Sequence, residues 1–236
     1  MKYRKQLQGL VKRMKRDVEE QIVPLLRALE GEYIADSYVK TFESAFDRLH
    51  RHYGDIGEQA RRVAADFVGN ADRENRRRFY SAMEDAAGIN LESVLNNEGL
   101  ENTLAATTRE NVNLIKSIPA QYLKDIESIV FTETVRGSNA GSMIKQISEK
   151  GGVSERRAKL IARDQTSKFN AALTQKRSEN LGVEEYVWRT AEDDRVRPTH
   201  AANNGKTFRW DSPPPKTGHP SDDVQCRCYA ESILKL

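Results

Sequence analysis

Cysteine is scarce in this 236-residue chain: Cys226 and Cys228 are the two it has, one residue apart near the C-terminal end. Two such close thiols cannot frame a disulfide-stapled secreted domain. Long hydrophobic runs are absent, and none approaches the roughly 20 apolar residues that span a bilayer. The opening MKYRKQLQGLVKRMKRD has the basic start of a secretory signal but neither an apolar core nor a small-residue cleavage site. A cytosolic setting with reduced thiols is therefore expected, which makes a disulfide the weak option. There is no phosphate-cradling glycine loop, no Ser-His-Asp order and no nucleophile motif. No internal repeat is visible. Sustained period-two alternation is also missing from the first 135 or so residues, which excludes a β-rich N-terminal half.

What is present is charge. Charged residues make up 31% and hydrophobic ones 38%, a polar composition rich in helix surface, with length enough for one large core or two smaller ones. The formal net charge is only +3, but the cations are clustered. Lys2, Arg4, Lys5, Lys12, Arg13, Lys15 and Arg16 stand in the first 16 residues with no acid among them. A second basic stretch, Lys145 to Arg177, sets nine Lys/Arg against Glu149, Glu155 and Asp164. Such blocks suit phosphates or an acidic protein surface; the plain alternative is a solvated helix face.

Apolar residues at Leu7, Val11, Met14, Val18, Ile22, Leu25 and Leu29 trace one helical stripe, with a kink or break expected at Pro24. Ile34, Tyr38, Phe42, Phe46, Leu49 and Tyr53 trace a second, continued by Ala60, Val63, Ala64, Phe67 and Val68. Asn70 or Asp72 can start another helix through Phe79, Met83 and Ala87, ending at Gly88. Leu91–Leu95 and Leu104–Ile118 read as further helical segments. Pro119 is placed to open the next, through Tyr122, Ile126 and Val130, closed by Arg136-Gly137-Ser138-Asn139. A short helix at Met143–Ile147, a Gly151-Gly152 turn and a long helix capped by Ser154 make a helical hairpin. That outline fits a helix-turn-helix DNA reader or any αα-hairpin.

From Gly182 the texture changes. EEYVWRT suits a strand, Asn203-Asn204-Gly205 a turn, and Thr207–Trp210 a short strand. A proline-rich loop over Ser212–Gly218 follows, and VQCRCYAESI alternates like a last strand. The expected fold is mainly α with a small C-terminal α+β module: long helices followed by a short antiparallel sheet.

Two constellations carry possible chemistry. On a strand, Cys226 and Cys228 share one face and Arg227 and Tyr229 the other. With His200 and His219 they complete a Cys-Cys-His-His set for zinc, although one intervening residue is closer than the usual ligand-pair spacing. The plain alternative is two small buried thiols and no cofactor. The second constellation is Asp193-Asp194-Arg195-Val196-Arg197-Pro198-Thr199-His200. There His200 could act as general base, with Arg195 and Arg197 as a cationic clamp on a phosphodiester. The structural alternative is a stapled loop in which Arg195, Arg197 and His200 all point inward toward the cysteine strand.

The spacing of the whole C-terminal half resembles the phage Mu F-like minor head protein family, also called the phage head morphogenesis family. The resemblance rests on Trp188, Thr190, Asp193 or Asp194, Arg195, Arg197, His200, Gly205 and Cys226-Arg227-Cys228, with a helical lead-in. It covers about residues 110–236. One departure is Pro220-Ser221, where the family often has proline-glycine. The resemblance implies a virion protein with no established catalytic activity, sited in the capsid interior and in the host cytoplasm during assembly. Its implied partners are the portal protein, capsid or scaffold proteins and possibly DNA. On this reading residues 1–135 form a helical docking region. Residues 136–236 form the Mu F-like module, with the hairpin at 140–180 and the sheet at 183–236. The alternatives are a nuclease centred on His200 and a zinc-stabilised DNA-binding module.

Overall fold

The computed structural model describes residues 2–28, 36–88 and 98–234. The long apolar stripes become six helices: α1 (Lys2–Gln21), α2 (Val23–Ala28), α3 (Asp36–Gly54), α4 (Gly57–Ala87), α5 (Glu101–Val135) and α6 (Ala140–Asn180). A strand β1 (Glu185–Arg189), a one-turn helix α7 (Pro198–Ala201) and strands β2 (Thr207–Arg209) and β3 (Tyr229–Ser232) follow. The fold is thus long helices with a small antiparallel sheet at the C-terminal end, as expected. The expected helical residues Ile34 and Leu91–Leu95 lie outside the described residues. Among the described residues, no helix is long and apolar enough to cross a membrane.

The chain packs as two compact units. One comprises Met1–Ala65 and Arg109–Ala162; the other comprises Asp66–Thr108 and Arg163–Leu236. In the first unit, the stripe of α1 buries Leu7, Leu10, Val11, Met14 and Val18. Phe42, Phe46 and Leu49 of α3 are buried too, as are Ile115, Ile118, Leu123 and Ile126 of α5. Each such aliphatic or aromatic side chain contributes about 1.5–3 kcal/mol on burial. Polar ties fix the neighbours: the Tyr3 hydroxyl donates to Asn111 Oδ1 at 2.7 Å, and the Tyr53 hydroxyl to Asp17 Oδ2 at 2.5 Å. The break expected at Pro24 is present, with α1 ending at Gln21 and α2 starting at Val23.

Several expected breaks do not occur. No helix starts at Asn70 or Asp72, because α4 runs unbroken from Gly57 to Ala87; its true start follows a turn at residues 55–56. Pro119 does not open a helix either and lies buried inside α5. A proline there costs about 3 kcal/mol. Ile115 and Ile118 before it, and Tyr122, Leu123 and Ile126 after it, recover more than that by burial. Arg157 donates to the Ser117 carbonyl at 3.0 Å and to Ser117 Oγ at 2.9 Å, holding the helix beside the proline.

The largest correction is the helical hairpin, since α6 is one 41-residue helix that passes through Gly151-Gly152 without a turn. The glycine serves close approach. A Cβ on Gly151 would stand 2.9 Å from Lys15 Cε, and Lys15 Nζ reaches Glu155 Oε1 at 2.9 Å. The helix-turn-helix reading falls with the turn.

In the second unit the sheet order is β2-β1-β3, antiparallel throughout. Tyr186 faces Phe208 and Ser232, and Trp188 faces Ala230, so alternate residues of β1 enter one core. That core holds Tyr186, Trp188, Trp210, Cys226 and Cys228, with Phe208 and Ala230 at its border. A buried ionic network supports it. Arg177 donates from Nη2 to Asp72 Oδ1 at 2.6 Å and Glu98 Oε2 at 2.7 Å, from Nε to Glu98 Oε1 at 3.0 Å, and from Nη1 to Asn75 Oδ1 at 2.6 Å.

Candidate functional site

The strand expected to carry both cysteines begins only at Tyr229. Cys226-Arg227-Cys228 instead ends an irregular loop. The Cys226 N–H closes a turn onto the Asp223 carbonyl at 3.1 Å, and Gln225 sits at φ +58°, off the extended path a strand needs. The Gln225 N–H is held by Asp164 Oδ1 at 2.8 Å, and Ser221 Oγ donates to the Cys228 carbonyl at 3.0 Å. The two sulfurs are buried, as alternation on a strand would also have placed them, while Arg227 reaches outward to Asp193.

His200 comes to the same place from α7, where Pro198 sets the first helical position. Its side chain is buried, 1% exposed. Nδ1 lies 3.4 Å from Cys226 Sγ and 3.5 Å from Cys228 Sγ, and Nε2 lies 2.9 Å from Asp223 Oδ2. The Trp188 ring meets the imidazole edge to face at 5.4 Å. Trp188 Nε1 is buried without a hydrogen-bond partner.

The two thiols differ sharply. A hydrogen bond from Cys228 holds the Cys226 thiol down, to about 5, against burial that pushes it up. The backbone N–H groups of Cys228 and Ser221 add to the lowering. Cys228, which gives that hydrogen bond and is buried as well, is pushed up.

His219 does not join this group. Its Nδ1 meets the Tyr186 hydroxyl at 2.9 Å, and the ring lines a separate cavity of about 250 Å³ with Lys168, Gln175, Trp210 and Asp222. The four-residue Cys-Cys-His-His set is therefore not assembled; three of its members are. Asp223 is the residue that sequence reasoning missed. Its place two positions after Ser221 in HPSDDVQC gives no periodic cue, because the loop that aims it has no regular structure.

The inward cluster of Arg195, Arg197 and His200 is also not formed. His200 alone is buried; Arg195 and Arg197 are exposed. Arg197 lies along the surface, donating from Nη2 to the Val224 carbonyl at 2.9 Å, with Nη1 3.7 Å from Asp223 Oδ2. The Arg195 N–H donates to Asp193 Oδ1 at 3.1 Å, and Asp194 is exposed. Hydrogen bonds from Arg227 hold the Asp193 carboxyl below its ordinary range. The remaining motif positions close the sheet end. The Thr190 N–H donates to Asn204 Oδ1 at 3.0 Å, and the Gly205 N–H to the Trp188 carbonyl at 2.8 Å, at a φ of +77° that favours glycine.

On α1, Lys2, Arg4, Lys5, Lys12, Arg13 and Arg16 are exposed, while Lys15 is drawn into the ion pair with Glu155.

Residues 124–231 match the family described as Phage Mu protein F like protein. An uncharacterized protein of Haemophilus influenzae is 37% identical over 239 residues, covering 98% of this chain and 52% of that protein. The Mu-like prophage FluMu F protein of the same organism is 35% identical over 83 residues, covering 34% of this chain and 20% of that protein. The chain thus spans about half the length of the first relative and less of the second. No solved structure matches.

Proposed function

We propose that this chain, whose residues 124–231 match the Phage Mu protein F-like family, is a phage minor head protein. It associates with the portal inside the procapsid and assists head assembly, DNA packaging or DNA delivery. The observation that carries the reading is the family match, which takes in the later part of the helical lead-in and the whole Trp188-to-Cys228 motif. The geometry supports a role in assembly over one in hydrolysis. A general base must reach its substrate, whereas His200 is enclosed by Trp188, two sulfurs and Asp223. Arg195 and Arg197 do not converge with it on a cleft. The exposed cations Lys2, Arg4, Lys5, Lys12 and Arg13 in the first part of α1 supply a basic patch for an acidic surface on the portal.

The test is where the protein resides. Particles and procapsids of the phage or prophage that encodes the chain would be purified and the ratio of this protein to portal measured by quantitative mass spectrometry. A few copies per portal ring, with binding to isolated portal that weakens as salt rises, is the expected result. Absence from particles at every stage of assembly would overturn the reading.

A further inference from the structure

Among the described residues, His200, Cys226 and Cys228 are the one group of three whose ligand atoms all lie within 4.8 Å of one another in the manner of a metal site. We propose that they hold a zinc ion through His200 Nδ1 and the two Sγ atoms. The inference is independent of the role in the phage head.

The geometry carries it in three ways. Zinc takes sulfur at about 2.3 Å and imidazole nitrogen at about 2.0–2.1 Å in a tetrahedron, which puts nitrogen and sulfur about 3.5 Å apart. The two N···S separations here are 3.4 and 3.5 Å. Secondly, Nε2 faces a carboxylate, Asp223 Oδ2 at 2.9 Å, so that nitrogen carries the proton and the Nδ1 lone pair points at both sulfurs. A ligating histidine almost always gives its other N–H to such a partner. Thirdly, Trp188 Nε1, in the same core as Cys228, is buried without a hydrogen-bond partner. A metal-bound thiolate is the acceptor that this N–H lacks. Two thiolates and an imidazole are a soft donor set suited to zinc. Loading would displace the thiol protons to solvent, so that two thiolates and a neutral imidazole face the cation.

The full chain, purified under reducing conditions, would be analysed for bound zinc, then stripped with chelator and titrated with Co²⁺. One equivalent of zinc per chain is expected, together with a tetrahedral cobalt spectrum bearing thiolate-to-metal charge transfer. Cys226→Ser and Cys228→Ser should each lose that band, and His219→Ala should keep it. Asp223→Ala, as a positioning variant, should bind about 10–100-fold more weakly with the band unchanged in shape. Folded wild-type protein with both thiols titratable that takes up neither zinc nor cobalt would overturn the proposal. So would a cobalt complex without thiolate charge transfer. Because both of those measurements use wild-type protein, a variant that fails to fold does not shield the proposal.

Discussion

Arg177 shows how much one side chain can decide. It is 1% exposed, yet its charge is matched by Asp72 and Glu98 and its fork is filled by five hydrogen-bond acceptors. Removing one partner of such a network leaves the others buried and uncompensated, at about 3–5 kcal/mol. Arg177→Ala should therefore lower stability by that order, read as a fall in the denaturation midpoint, while the exposed Arg195→Ala should change it little. The same network sets a pH dependence. Burial works to raise Glu98, but hydrogen bonds from Arg177 and Tyr80 outweigh it and hold the carboxyl below its ordinary value. A carboxyl with a lowered folded-state pKa stabilises fully above its unfolded value. That contribution is lost as pH falls through the lowered one. Urea midpoints should thus drop on acidification from neutral pH into the carboxylate range, and the drop attributable to this site should be missing in Glu98→Gln.

At the scale of the element, the uninterrupted course of α6 has a direct test. Gly152 lies inside the helix, where a Cβ would meet only Arg156 Nη1 at 3.6 Å. Alanine is favoured over glycine there by about 1 kcal/mol. Gly152→Ala should raise the melting temperature; were the pair a turn between two helices, the same change would lower it. Gly151→Ala should gain less, because Lys15 must swing aside and give up Glu155. The contrast between Gly151-Gly152 and Arg136-Gly137 is instructive. Gly137 does end its helix, at φ +73°, with the Ser138 N–H turned back to the Glu133 carbonyl and Asn139 Oδ1 accepting from the Ser142 N–H to cap the next helix. A glycine stops a helix when capping side chains stand beside it, and a glycine pair without them is carried along by burial on both flanks.

For the whole molecule, the consequence of chief interest concerns the basic segment at residues 1–16. As sequence it reads as a docking arm whose loss leaves the C-terminal module folded and weakens partner binding. In the fold, α1 places Tyr3, Leu7, Leu10, Val11 and Met14 in the core of the first unit. Deleting residues 1–16 should therefore abolish cooperative melting of that unit and lower far-UV helical signal by more than the deleted residues account for. Charge reversal at Arg4, Lys5, Lys12 and Arg13, which are exposed, should leave the melt intact and weaken only partner binding.

The sequence by itself determined the class of fold, the positions of the apolar stripes, the first two strands and the motif through which the chain resembles a known family. Each of these is local or periodic, and local propensity and amphipathic spacing are written along the chain. What only the tertiary structure decided were the continuity of α4, α5 and α6 and the membership of the site. Asn70, Pro119 and Gly151 look like breaks because local preference says so, and burial contributed by distant segments overrides it. His200, Cys226 and Cys228 meet while His219 goes to Tyr186, because loops with no period aim those side chains. Asp223 and the partners of Arg177, more than 70 residues away at Asp72 and Glu98, are brought in by chain packing that no spacing rule encodes.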